Sequence, residues 1–95
     1  MYHSTTNQYM KASIEITFTP LEDKYEIAIK NFIRDLRNAD FRLQENPLST
    51  QIYGELQPLM LFLTQTIEKN FNEISAGMVH LKIVKSDRSS YVPFS

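Results

Sequence analysis

The chain has 95 residues, 42% of them hydrophobic and 22% charged, with a net charge of −1 at pH 7. That length makes a single domain with a thin core, one that buries about 60–65% of its unfolded surface. Ten scattered basic side chains form no stripe for nucleic acid, no apolar run nears the ~18–20 residues of a bilayer span, and without cysteine there is no disulfide, thiolate nucleophile or Cys-based metal site.

Residues 1–10 are polar and aperiodic, and read as a flexible N-terminal tail. They carry neither the charged nor the apolar region of a signal peptide, so the cytoplasm is the expected compartment. Lys11 to Thr19 alternates, with Ile14, Ile16 and Phe18 on one face and Ser13, Glu15, Thr17 and Thr19 on the other. This is the period-2 pattern of a half-buried strand, and Pro20 ends it. Asp23 and Glu26 have capping-box spacing for a helix whose apolar stripe is Tyr25, Ile29, Phe32, Ile33 and Leu36. Asn38-Ala39-Asp40 closes it.

Phe41 to Glu45 alternates again, and Asn46-Pro47 turns the chain into a longer strand through Glu55, making a β-hairpin. Pro58 suits the first turn of a second helix. Leu56, Met60, Leu63 and Ile67 form its core stripe, with Leu59 and Phe62 as an apolar excess available to a partner surface. Ser75-Ala76-Gly77 breaks the pattern, and Met78 to Val84 is the last strand, with Val79, Leu81 and Ile83 inward. Residues 87–95 read as a short C-terminal tail.

The order β-α-β-β-α-β over residues 11–86 predicts an α+β, ferredoxin-like split βαβ domain. Its four-stranded antiparallel sheet has order 4-1-3-2 and both helices on one face. The outward face then presents Glu15, Thr17, Gln51, Tyr53, His80 and Lys82 with no helix to cover them. That face and the apolar excess predict a homodimer or homotetramer.

Enzyme signatures fail. Gly54 and Gly77 are the only glycines, too few for a phosphate-cradling loop, and His3 and His80 have no metal-binding spacing. An outward His80 reads as a surface or interface residue. Glu15 and Glu55 read as ordinary outward charges ahead of an acid/base pair. No catalysis, cofactor or metal is therefore expected. The polar density lies instead in Leu48 to Glu55, where hydroxyl, amide, phenol and carboxylate groups share one strand. Ser49 and Thr50 serve either as turn and strand formers or as ligand contacts, and being adjacent they point to opposite faces. Tyr53 could stack on a ligand or anchor an interface.

Thr19-Pro20-Leu21, the segment Leu48-Ser49-Thr50-Gln51-Ile52-Tyr53-Gly54-Glu55, and Val79-His80-Leu81-Lys82-Ile83 together resemble the YkoF-type thiamine/hydroxymethylpyrimidine-binding family, from about Lys11 to Lys85. The resemblance implies a ferredoxin-like domain, assembly through the sheets, and non-catalytic binding of thiamine or its pyrimidine half. Ser49, Thr50, Gly54 and Glu55 match its pattern. Ligand-binding candidates are then Ser49 or Thr50 for the pyrimidine, Gln51, Tyr53 and Thr17 as walls, and Glu15 or Glu55 against the cationic ring. The rival reading is an oligomeric interaction module with no small-molecule site. An acylphosphatase-like hydrolase of the same fold would need an arginine-bearing phosphate loop where Thr19-Pro20-Leu21-Glu22-Asp23 is acidic. An RNA-binding domain of this topology would need basic neighbours around exposed aromatics.

Overall fold

The computed structural model describes residues 10–90, so most of the expected N-terminal tail and residues 91–95 lie outside the described part. The elements are β1 (Lys11–Pro20), α1 (Tyr25–Arg37), β2 (Arg42–Glu45), β3 (Thr50–Glu55), α2 (Leu56–Phe71) and β4 (Gly77–Lys85). All neighbouring strands are antiparallel, and the sheet order is β2-β3-β1-β4. This is the ferredoxin-like α+β fold expected from the sequence. No helix among the described residues is long and apolar enough to cross a membrane.

Register explains the layering. Ile14 stands opposite Ile52 and Ile83, and Ile16 opposite Thr50 and Leu81, so these side chains share one face. Ile14, Ile16, Phe18 and Ile52 pack there against Ala28, Phe32 and Leu36 of α1 and Leu59 and Leu63 of α2. Both helices therefore cover the same side of the sheet. Aromatic pairs lock the layers, with Phe18 and Phe32 ring centroids 4.6 Å apart and Phe41 and Phe62 at 5.6 Å.

Several local expectations change. Asp23 does not cap α1: Asp23 and Lys24 form a turn, the cap position falls on Lys24, and no side chain bonds the helix end. The buried stripe of α1 is Ala28, Phe32 and Leu36, while Tyr25 is half exposed because it precedes the stretch that meets the sheet. In α2, Leu59 lies at the centre of the core with no exposed surface, so it supplies nothing to a partner. On β4, Leu81 and Ile83 occupy the helix-facing side, yet they are 37% and 48% exposed. An edge strand extends beyond the shelter of two helices seated over β1 and β3, which leaves its inner side chains in reach of water.

The open face is partly covered by the chain itself. Ser86 takes a left-handed backbone angle, φ 115°, as β4 ends. Its N–H bonds the Lys11 carbonyl at 3.0 Å, and the segment turns back over the sheet. The Ser13 hydroxyl donates to the Ser86 carbonyl at 2.8 Å and accepts from the Arg88 N–H at 2.8 Å. Beyond it, the Gln44 amide donates to the Ser89 carbonyl at 3.0 Å. Residues 86–90 thus form a strap from β4 across β1 to β2, and Ser89 within it is buried. It takes the place of a third layer over that end of the open face.

Candidate functional site

The strand β3 divides its polar residues between two concavities, one on each side of the sheet. Thr50 pairs with Ile16 and lies on the helix side, 4% exposed. Ser49 precedes it and turns its hydroxyl to the open side, where it donates to Glu15 Oε2 at 2.9 Å and accepts from Gln51 Nε2 at 2.9 Å. Lys82 completes this chain with Nζ 3.9 Å from Glu15 Oε1.

The hairpin that sets this division is built by Asn46. Its side-chain carbonyl accepts the N–H groups of Leu48 at 2.8 Å and Ser49 at 3.0 Å, and its own N–H bonds the Ser49 carbonyl at 3.1 Å. This is an Asx turn, in which a side chain replaces the missing backbone partners. It starts β3 at Thr50 and so decides which of the two adjacent hydroxyls enters the helix side.

The helix-side cavity has a volume of about 560 Å³ and lies between the hairpin and the outer flank of α1. Its walls are largely apolar, from Ile16 and Phe18 of β1, Ile29, Phe32 and Ile33 of α1, and Leu48 of the hairpin. Thr50 contributes a hydroxyl to the lining, and Lys30, Arg37 and Glu45 contribute all its charge. Arg37 and Glu45 are clasped together in a two-pronged pair, Nε to Oε2 and Nη2 to Oε1, both at 2.7 Å. This fork ties the end of α1 to β2. The hydrogen bonds from Arg37 hold the Glu45 carboxyl below its ordinary value against the opposing effect of burial, and the pairing raises Arg37.

The open-face groove is comparable in size, about 620 Å³, and more open to solvent. Glu15, Gln51 and Tyr53 line it with Ser13, Lys82 and Arg88. Tyr53 is only 8% exposed, and its hydroxyl is committed to Gln44 Oε1 at 2.9 Å. Burial pushes its phenol up, with Arg42 opposing and Asp87 adding to the rise, so at neutral pH it is a proton donor. Its ring is a wall held by the strap, with little face left to stack on a ligand.

The seven expected site residues therefore do not converge. Thr50 lines the helix-side cavity. Ser49 and Thr17 line its rim, although Thr17 stands opposite His80 on the open side. Glu15, Gln51 and Tyr53 belong to the open-face groove. Glu55 sits where β3 passes into α2, opposite Lys11, and lines neither concavity. The neighbouring Gly54 has a packing role, since a Cβ placed there would lie 2.7 Å from Phe41 Cδ1. Glycine at this point lets the Phe41 ring lie over the strand.

Sequence reasoning missed Lys30, the Arg37–Glu45 fork and the apolar wall from Ile29 and Ile33. The available signal was the width of the α1 stripe, because Ile29 and Ile33 stand beside Phe32 and exceed what one packed face requires.

A four-stranded antiparallel sheet with two helices on one side defines a ferredoxin-like domain, here with a cavity between the hairpin and α1 and a groove on the open face. No family model matches the chain, and no curated protein does. Solved structures do. A protein from Streptococcus pneumoniae is 26% identical, with a TM-score of 0.77 over 85% of this chain and 92% of that one. A Thermotoga maritima protein whose name proposes a role in thiamine biosynthesis or salvage superposes with a TM-score of 0.73 at 14% identity, covering 86% and 89% of the two chains. A domain of unknown function DUF77 from Bacillus cereus gives 0.71 at 14% identity, over 90% and 84%. The last two likenesses establish the shared fold.

Proposed function

We propose that this protein binds a small heteroaromatic molecule without transforming it, in the cavity between α1 and the β2–β3 hairpin. The ligand proposed is thiamine or its hydroxymethylpyrimidine half. The observation that carries the reading is a recessed, mainly apolar cavity of about 560 Å³ with the nearly buried Thr50 in its lining. Binding sites for flat organic ligands have this composition, apolar walls for the ring and a few polar groups to orient it. Phe18 and Phe32 supply aromatic surface, and the Thr50 hydroxyl can donate to or accept from a ring nitrogen or exocyclic amine. The structural likeness to a protein named for thiamine biosynthesis or salvage supports the choice of ligand.

The two adjacent hydroxyls provide the test. Thr50→Val keeps the shape of the side chain and removes one hydrogen bond, so it is expected to weaken hydroxymethylpyrimidine binding about 2- to 13-fold, equivalent to roughly 0.5–1.5 kcal/mol. Ser49→Ala, whose hydroxyl faces Glu15 on the other side, is expected to leave affinity within about twofold. Titration calorimetry on both variants checks this. Equal losses, or a loss for Ser49→Ala alone, would move the site to the open face, and no heat at millimolar ligand would favour the interaction-module reading.

We also propose a homo-oligomer, most simply a dimer. Support comes from β4, an edge strand with Met78, Leu81, Ile83 and Val84 between 37% and 48% exposed on its two faces. An unpaired edge with apolar flanks is the surface on which chains associate. Sedimentation at micromolar concentration is expected to give a multiple of 11.1 kDa. A monomer at that concentration would reject it.

A further inference from the structure

The charged residues at the helix-side cavity are unequal in sign and in availability. Lys30 and Arg37 are cationic, and among the described residues Glu45 is the sole carboxylate in the lining. Both Glu45 oxygens accept from Arg37 at 2.7 Å, so the two charges of that pair offset one another and Lys30 gives the lining its net positive charge. Lys30 is exposed, and among the described residues it forms no ion pair. The carboxylates that could attract a cationic ring are elsewhere: Glu15 is on the open side, held by Ser49 and near Lys82, and Glu55 is at the β3–α2 junction.

We infer that this cavity selects a heteroaromatic ring bearing an anionic substituent, a phosphate monoester on its alcohol, over the neutral ring, and discriminates against a ring with a fixed positive charge. The inference rests on the ligand reading above and deepens it. The apolar wall takes the ring. The substituent extends toward Lys30 and the outer edge of the Arg37 guanidinium, whose remaining N–H groups point away from Glu45. A cationic ring in the same pose meets the like charge of Lys30, which no carboxylate offsets, since Glu45 already balances Arg37. Arg37 and Glu45 neutralise one another at the surface, so the selectivity resides mainly in Lys30.

Calorimetry on the intact protein with hydroxymethylpyrimidine, its monophosphate, thiamine and inorganic phosphate tests this. At low salt the monophosphate is expected to bind roughly 3- to 10-fold tighter than the neutral alcohol, and thiamine weaker than it by a similar factor, as suits a partly exposed charge. Inorganic phosphate alone gives no measurable heat in the same range. Raising the salt concentration narrows these differences. Lys30→Gln, an exposed helix substitution that leaves folding intact, removes most of the advantage of the monophosphate over the neutral alcohol. Thiamine binding as tightly as the neutral alcohol, or a monophosphate advantage unchanged by Lys30→Gln, overturns the charge selectivity while the ligand reading stands. Inorganic phosphate binding as tightly as the monophosphate overturns the role of the ring. If none of the three organic ligands binds, the ligand reading itself fails and this inference with it.

Discussion

Leu63→Ala is expected to cost about 2–5 kcal/mol of folding stability and to lower the melting temperature by roughly 10–30 °C. Leu63 has no exposed surface and lies in the core formed by α2 with β1, β3 and α1. Its removal forfeits the transfer of the buried methyl groups and leaves a cavity that flanking helices close only in part. A domain of this size holds about 5–15 kcal/mol in total, so the variant sits near its folding threshold. Because Leu63 lines neither concavity, any variant protein that remains folded should still bind ligand. Phe32→Ala should cost about 3–5 kcal/mol and lose binding as well, since Phe32 is 1% exposed, pairs with Phe18 and forms a wall of the helix-side cavity. Urea unfolding with an unchanged slope would measure both. A loss below about 1 kcal/mol for Leu63→Ala would contradict the packing described.

Asn70→Ala is the second large effect, expected at about 1–3 kcal/mol near neutral pH. Asn70, 3% exposed at the end of α2, donates from Nδ2 to Asp35 Oδ2 at 3.0 Å and to the Thr66 carbonyl at 2.9 Å. Lys69 reaches Asp35 Oδ1 at 3.2 Å, so α1 and α2 are tied through one carboxylate that is 11% exposed. Burial pushes the Asp35 carboxyl up, but the bonds from Asn70 and Lys69, with the charges of Lys69 and Arg34, outweigh it and hold it below its ordinary value. A folded-state value below the unfolded one contributes stability that is full above the unfolded value, about 4, and is lost as pH falls through the folded value. The penalty of Asn70→Ala should therefore be full at pH 7 and shrink on acidification below about pH 4. Chemical unfolding at pH 7, 4 and 3 checks the trend, and a penalty independent of pH would detach Asn70 from Asp35.

The strands were legible because burial of one sheet face leaves a period-2 trace, and β1 retains it through Ile14, Ile16 and Phe18. Helix α1 was legible as a helix, yet its seating was not. Sequence periodicity weights Tyr25 and Phe32 alike, and only contact with β1 shows that Ala28 is inside and Tyr25 outside. Leu59 shows the same limit from the other side. Its place beside a stripe suggested spare surface, whereas rotation of α2 against β3 puts it at the centre. The strap was unreadable for a different reason. Ser86 to Ser90 is a polar segment with no periodicity, and its order comes from Ser13 and Gln44, 73 and 45 residues distant from the groups they hold.

By itself the sequence determined the order of elements, the antiparallel sheet, the face on which Glu15, Gln51 and Tyr53 lie, and the turn at Asn46-Pro47. These follow from interactions between residues a few positions apart or from alternation, which any chain segment carries with it. The tertiary structure alone decided that Tyr53 is nearly buried beside a strap and that a cavity opens beside Thr50. Each depends on where distant side chains end up: Arg37 clasping Glu45, Ile29 and Ile33 standing off the hairpin, Gln44 reaching Ser89. A polar cluster in sequence is a cluster along one strand, and a strand distributes its side chains to two faces, so only the packing of α1 against the sheet could choose which of them share a site.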